Sequence, residues 1–162
     1  MVDTSDLLLV LGAIVIFSIA VLNVNRGITR NQLLMTQAEL EYTAIALGQD
    51  LIDEARVKAF DEATTTATPS NIPGAFSQDN KFGGANDGEA YPAFDDFDDY
   101  DGYQRQDTTE HGLYRITASV MYVTENAPNM EAGGKTAFKR LDVVVSSPFL
   151  DNTITLSYLK PF

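Results

Sequence analysis

Aspartate is concentrated in one short stretch of this 162-residue chain. The segment FDDFDDYDGY, residues 94–103, holds five aspartates within seven residues: Asp95, Asp96, Asp98, Asp99 and Asp101. Carboxylate oxygens are the ligands that a hard cation such as Ca²⁺ prefers. The EF-hand spacing is absent, because counting back from Gly102 puts Phe97 at the first ligand position and Thr108 at the twelfth. The stretch therefore predicts an irregular calcium loop, with Ca²⁺ as the one candidate cofactor.

The same stretch has a second interpretation. Its aromatic residues recur every three positions and are Phe94, Phe97, Tyr100 and Tyr103. An acidic loop in solvent, held by these rings against the sheet or a neighbouring molecule, would show this pattern without any metal. Both interpretations stay open on the sequence alone.

Other catalytic and metal-binding chemistries find little support. The chain has no cysteine and one histidine, His111, which excludes thiolate zinc sites, iron–sulfur clusters, disulfides and a cysteine nucleophile. No Gly-x-Ser-x-Gly, Walker or dinucleotide-binding glycine pattern occurs. We therefore expect no enzymatic activity, and we expect His111 to be a surface loop residue.

The formal net charge is −12 and is unevenly distributed. Residues 85–110 contain nine acidic and one basic side chains, which is two thirds of the net charge. Phosphate binding needs clustered lysine and arginine, so nucleic acid is excluded as a partner. We expect the acidic residues to lie on the outer surface.

The N-terminus carries the most apolar block of the chain. Residues 7–22, LLLVLGAIVIFSIAVL, are sixteen residues without a charge. As a helix they would rise about 24 Å, a little less than the ~30 Å core of a bilayer. A cleaved signal sequence is disfavoured, because Asp3 and Asp6 precede the block, whereas Arg26 and Arg30 follow it.

The helical pattern continues beyond this block. Between Asn31 and Phe60 there is no proline, and apolar residues recur in steps of three and four: Leu33, Leu40, Ala44, Leu47, Leu51, Ala55 and Ala59, with Ile45 and Ile52 beside them. These steps define one stripe on a helix. We predict a single helix from about Thr4 to Asp61, apolar in its first half and amphipathic in its second.

The C-terminal residues alternate with period two. Residues 113–123, 137–147 and 153–159 each present one apolar face, which predicts three antiparallel strands. Such a sheet is marginal alone and is the natural cover for the helical stripe. The predicted fold is α+β: the long helix packed against an antiparallel sheet of three to four strands, with a long acidic loop. Its segments are residues 1–30, 31–62 and 63–162, the last divided into a loop (63–111) and a sheet (112–162).

This arrangement resembles the type IV pilins and pseudopilins. The resemblance rests on an acidic residue before the apolar block, on the block itself, and on the continuation QAELEYTAIALGQDLIDEARVKAFDE, residues 37–62. The strands KRLDVVVSS and TITLSYL are similar to the closing strands of such proteins. Pilins carry a basic leader that ends in glycine, and none precedes Met1. Either Met1 is the first mature residue or processing differs.

The resemblance implies a filament assembled through its N-terminal helices. The packing surface would comprise Leu7, Leu8, Leu9, Leu11, Ile14, Ile16 and Phe17. The family's glutamate at the fifth mature position is matched approximately by Asp6. Asp3 and Asp6 would then pair with Arg26 or Arg30 of a copy shifted by about 30 Å, the rise of some 20 helical residues. Gly27, between the two halves of the helix, is a candidate hinge on assembly.

Three alternative functions are compatible with these sequence features. The first is a structural subunit of an extracellular filament, anchored in a membrane before assembly and partnered by its own copies and by an inner-membrane pilus assembly machinery. The second is a minor pseudopilin of a type II secretion-like machine. The third is a membrane-anchored, monomeric, Ca²⁺-dependent adhesin or binding module.

Overall fold

A computed structural model describes residues 3–162, so the expectation that concerns Met1 lies outside the described residues. The first element is one continuous helix, α1, from Thr4 to Ala55. Contacts divide the chain into two compact units, residues up to Glu39 and residues from Leu40 onward. The first unit contains the N-terminal part of α1, and the second contains everything else.

The second unit is built on a five-stranded antiparallel sheet. Its strands are β1 (Gln104–Thr109), β2 (Gly112–Thr124), β3 (Ala127–Glu131), β4 (Phe138–Ser146) and β5 (Ile154–Pro161). Their order is β1-β2-β4-β5, and β3 pairs with β2. The class, a long N-terminal helix packed against an open antiparallel sheet, is the predicted one and is confirmed.

The core lies between one face of this sheet and α1 from Leu40 onward. The buried residues of the helix are Leu40, Ala44, Gly48, Leu51, Ile52 and Ala55. The sheet residues of this core cluster are Tyr114, Ile116, Ala118, Val120 and Tyr122 on β2 and Leu141, Val143 and Val145 on β4. The predicted apolar faces of these strands are confirmed. Two residues that were expected to pack on the sheet are exposed: Leu33 of the predicted stripe, at 67%, and Ile45 beside it.

Two strands, β1 and β3, add to the three located in the sequence and bring the sheet to five, one more than the expected three to four. β1 lies at the end of the predicted loop 63–111, and its sequence QRQDTT has no apolar alternation. It forms an edge of the sheet, where a strand needs little apolar surface, and pairs with β2 from Gln104↔Thr117 to Thr109↔Gly112. β3, expected to be a turn, is short and mostly exposed. The turn between β1 and β2 contains His111, which is partly exposed, as predicted.

The helix ends at Ala55, whereas the sequence indicated about Asp61. Neither proline nor glycine stops it there. Instead, the Lys160 ammonium donates to the carbonyls of Arg56 and Lys58, at 3.0 and 2.5 Å. A cation at these carbonyls also complements the negative end of the helix dipole. Hydrogen bonds from β5 therefore replace those that further helical turns would make.

A close approach between helix and sheet occurs at Gly48. A Cβ atom at this position would lie 2.8 Å from Leu156 Cδ1 and 3.3 Å from Val145 Cγ2. Gly48→Leu should therefore lower the free energy of unfolding by about 2–3 kcal/mol, because overpacking displaces both neighbours. Urea unfolding of the full chain in detergent measures this. Gln49→Leu, one residue along on the exposed face, is the control, and equal stability of both variants would contradict the packing.

Candidate functional site

The first candidate site is the apolar segment of α1. Its large side chains are exposed by about half or more, reaching 72% at Leu9 and 70% at Ile16 and Phe17. Helix α1 is long and apolar enough to cross a membrane, and none of the apolar 18-residue stretch that meets this criterion is buried. A signal sequence or a core helix has similar length and composition. The exposure shows that the described chain does not itself cover this surface.

The single polar side chain of residues 7–22 is satisfied within the helix. Ser18 donates from its hydroxyl to the carbonyl of Ile14 at 2.7 Å. Thr29 donates in the same way to the carbonyl of Asn25 at 3.1 Å. A helix entering an apolar environment must satisfy its polar groups internally, and these bonds do so.

The predicted assembly charges lie on this exposed part of α1. Asp6 is in the first turn, and Asp3 precedes the helix. Arg26 and Arg30 follow about 20 residues later, and none of the four has a salt bridge within residues 3–162. The helix is continuous through Gly27, around which a Cβ atom would meet nothing within 4 Å. The pairing and the hinge stay predictions.

The acidic stretch is largely inside the protein. Asp96, Asp98 and Asp99 are 1–3% exposed, so the expectation of a solvated, outward-facing acidic loop is wrong for these three. The aromatic part of that interpretation is confirmed, because Phe94 and Tyr100 are buried, with ring centroids 5.2 Å apart. The rings carry this stretch into the core, and the aspartates between them are buried with it.

Lys139 of β4 is the centre of a buried charge network. Its ammonium donates to Asp61 Oδ2 at 2.7 Å, to Asp98 Oδ1, and to the carbonyl of Phe60 at 2.9 Å. Lys139 and Asp61 are fully buried, and Asp98 is almost so. One cation thus faces two carboxylates in a region without solvent. This arrangement is a second candidate site.

The two carboxylates differ in their surroundings. Burial would raise the pKa of Asp61, but the charge of Lys139 and hydrogen bonds from Lys139, Ser77 and Ala63 lower this pKa below its ordinary value. Burial raises the pKa of Asp98 to about 7, against the opposing charge of Lys139. Asp61 is therefore the stabilised carboxylate of the pair.

A second buried lysine lies directly opposite the first. Lys160 of β5 pairs in register with Lys139, and its ammonium is 5.1 Å from the ring centroid of Phe97. Burial, and then the like charge of Lys139, lower its pKa to about 8. Its ammonium also donates to the carbonyls of Arg56 and Lys58, just after the end of α1.

The five aspartates proposed as calcium ligands do not converge on one point. Asp98 contacts Lys139, and Asp101 Oδ1 accepts from the Val120 amide at 2.8 Å. The remaining three fall into two groups of carboxylates that could hold a metal ion, each completed by a glutamate that the sequence did not suggest: Glu62, Asp95 and Asp96, and Glu89, Asp95 and Asp99. Hydrogen bonds from backbone amides already occupy oxygens of Asp96 and Asp99. Calcium binding stays a prediction.

Asp96 gives a prediction about pH. Burial, and then the charges of Asp98 and Asp99, raise its pKa to about 9. A carboxyl group with a raised pKa contributes its full stability below its unfolded pKa, here the ordinary value of 3.8, and loses that stability as the pH rises through about 9. Asp96→Asn keeps an oxygen for the Asp98 and Asp99 amides but cannot ionise. At pH 8 it should raise the free energy of unfolding by about 2 kcal/mol, with little change near pH 4.

Urea unfolding of the full chain at both pH values checks this expectation. Asp95→Asn, at the exposed neighbouring position, is the matched control and should change stability by less than about 0.5 kcal/mol. An Asp96→Asn chain less stable than the original at pH 8 in EDTA would contradict the argument. A loss confined to samples with added Ca²⁺ would instead support the calcium prediction.

Neither Lys139 nor Lys160 is among the site residues that the sequence predicts. The period-two alternation that identified Leu141, Val143 and Val145 as core residues places Lys139 on the same face. Likewise Lys160 follows Tyr158 by two residues. A charged residue in register with a buried face was the available signal. Asp61 had no such signal, because its burial depends on the end of the helix.

No protein-family model, curated protein or solved structure matches this chain. The class of this protein is therefore defined by its fold and by the exposed surface of its N-terminal helix. It is an α+β protein whose N-terminal helix combines an exposed apolar segment of near-membrane length with a part that packs on an antiparallel sheet.

Proposed function

We propose that this chain is the structural subunit of an extracellular helical filament of the type IV pilus kind. The observation that carries the proposal is the exposed apolar segment, residues 7–22. Soluble monomers rarely expose a continuous apolar surface of this size, so the segment requires lipid or further copies of the chain. Lipid holds the subunit in a membrane before assembly, and neighbouring helices cover the same side chains in the filament.

The charges at the two ends of the segment support a staggered packing. Asp6 and Arg26 are 20 residues apart on one helix, which corresponds to a rise of about 30 Å. A copy displaced by that distance brings its carboxylate beside the arginine of its neighbour. A charge left unpaired in an apolar bundle is costly, so this pairing fixes the axial register.

A contact between different parts of two identical copies generates a helix when it does not close into a ring. The displaced packing is such a contact, because the N-terminal end of one segment meets the C-terminal end of the next. The partners of the protein are then its own copies, the membrane before assembly and an inner-membrane assembly machinery. Nucleic acid and catalysis have no part in this function.

Reversing the basic charges tests the proposal. Arg26→Glu with Arg30→Glu should abolish filaments, because four acidic groups then meet at each junction. Negative-stain microscopy of material sheared from cells reports filaments, and the membrane fraction reports that the subunit is still made. Adding Asp3→Lys and Asp6→Lys to the same chain should restore filaments. Lys81→Glu, an exposed change in the second unit, is the control.

Other outcomes would favour the other functions. Intact filaments from the charge-reversed chain would contradict the pairing. Absence of long fibres from the original chain would contradict the filament proposal. It would favour the minor pseudopilin if the chain is still found with a secretion machine, or the anchored monomeric module if adhesion depends on Ca²⁺.

A further inference from the structure

The ammonium of Lys139 occupies a closed compartment. Rings of Phe60, Phe82 and Tyr122 surround it, with centroids 4.6, 4.9 and 5.2 Å from Nζ. The lysine side chain has no exposed surface. Because water is excluded, the ion pairs lose the solvation that normally favours charged amines and carboxylates over their neutral forms.

The two carboxyl groups beside this ammonium accept different numbers of hydrogen bonds. Asp61 accepts hydrogen bonds from the amides of Ala63 and Ser77 and from the Ser77 hydroxyl, and its Oδ2 is 3.2 Å from the Tyr122 hydroxyl. Asp98 Oδ1 contacts Nζ of Lys139, and no other side chain of residues 3–162 donates to this carboxyl group. Asp61 is thus held as an acceptor, and Asp98 is the less stabilised group.

A nucleophile, an electrophile and a proton acceptor therefore meet in a dry site. The amine of Lys139 is in contact with the carboxyl group of Asp98. The carboxylate of Asp61 is 2.7 Å from the same amine and in position to accept a proton from it. Holding reacting groups in contact raises their effective concentration by many orders of magnitude.

We propose that Lys139 and Asp98 condense to form an intramolecular amide bond, with Asp61 positioning the amine and relaying its proton. This cross-link does not depend on filament formation.

The step is balanced without any co-reactant. Asp98 accepts one proton from the ammonium, which leaves a neutral amine facing a neutral carboxylic acid. The lone pair of Nζ attacks Cγ of Asp98 and forms a tetrahedral intermediate, whose nitrogen then gives a second proton to Asp61. The proton on Asp61 passes to the departing hydroxyl, the Cγ–O bond breaks, and one water leaves. An ammonium and a carboxylate thus give one amide and one water, with no change in total charge.

The bond would join two parts of the fold that are distant in sequence. Asp98 begins the 3₁₀ turn Asp98–Tyr100, and Lys139 lies 41 residues later on β4. The cross-link ties the acidic stretch to the sheet in a chain that has no cysteine to form a disulfide.

Mass spectrometry of the original full-length chain, purified in detergent and then denatured, tests the proposal. The expected mass is below that of the sequence by one water. Trypsin should release a branched peptide in which residue 98 and residue 139 are joined. A folded chain with the full sequence mass would overturn the proposal.

Variants distinguish the amide from another loss of water. An aspartate before glycine, as at Asp87 and Asp101, can lose water as a succinimide, but that product does not need Lys139. Lys139→Met and Asp98→Ala should both restore the full mass. A deficit that persists in either would overturn the proposal. Asp61→Asn should lower the linked fraction at a given time after synthesis, whereas a fully linked Asp61→Asn chain would remove Asp61 from the step.

Discussion

Lys139→Met is expected to lower the free energy of unfolding of the full chain by at least about 3 kcal/mol. The variant leaves Asp61 and Asp98 buried without the cation between them. Removing one partner of a buried pair usually costs about 3–5 kcal/mol, because the remaining charge has neither water nor a counter-ion. The methionine fills much of the same volume, so the loss measured against the chain in which Lys139 and Asp98 are not linked reports mainly on charge.

The pH dependence of this loss separates charge from packing. Without Lys139 the pKa of both carboxyl groups rises, so the variant regains stability as the pH falls and these groups become protonated. Urea unfolding at pH 5 and pH 8 should show the larger deficit at pH 8. Lys81→Met, on the surface, is the control and should change stability little. An equal deficit at both pH values would assign the effect to packing alone.

Replacing both Ile14 and Phe17 by arginine should release the chain from membranes. Each arginine near the centre of a spanning helix costs about 2.5–3.5 kcal/mol on insertion, so the pair costs about 5 kcal/mol or more. Both positions are exposed in the described chain, at 56% and 70%, so the change disturbs no internal packing. The original protein should stay in the membrane pellet after alkaline carbonate extraction, and the variant should move to the supernatant.

The matched change is Tyr42→Arg, on an exposed position of the same helix outside the apolar segment. It should leave the protein in the pellet. Retention of the doubly substituted chain in the pellet would show that residues 7–22 are not what holds the protein to the membrane. That result would remove the membrane-anchored stage from the filament proposal.

The sequence was informative wherever one face of an element is apolar. Strands β2, β4 and β5 were predicted within a few residues, and the inward faces of β2 and β4 are those that the alternation indicated. The start of α1 at Thr4 was also predicted, whereas the packing stripe was expected from Leu33 and begins at Leu40. The spacing of apolar residues indicates which side chains are buried, and these elements form where one face is buried.

Elements fixed by distant hydrogen bonds were not predictable in this way. Local propensity favours helix up to Phe60, but the bonds from Lys160 to the carbonyls of Arg56 and Lys58 end it sooner. The polar edge strand β1 is specified by its pairing with β2 rather than by any apolar pattern. In both cases the deciding partner is far along the chain.

The candidate site was predictable only in part. The exposed apolar segment was evident from composition alone. The sequence showed where the aspartates of residues 94–103 are concentrated, but their chemistry depends on where each side chain points. Asp98 contacts Lys139 and belongs to neither group of carboxylates that could hold a metal ion. Composition showed the excess of negative charge and did not show which of the charges would be neutralised internally.

The paired lysines of β4 and β5 have a mechanical consequence. Tension along α1 enters the second unit at Leu40, and the chain leaves the helix at Ala55. Over the next six residues, Lys160 holds two backbone carbonyls and Lys139 holds the carbonyl of Phe60 and the side chain of Asp61. The two lysines are cross-strand neighbours, so the load is divided between adjacent strands. A pulling force must therefore break several buried contacts together, rather than one after another, before the helix separates from the sheet.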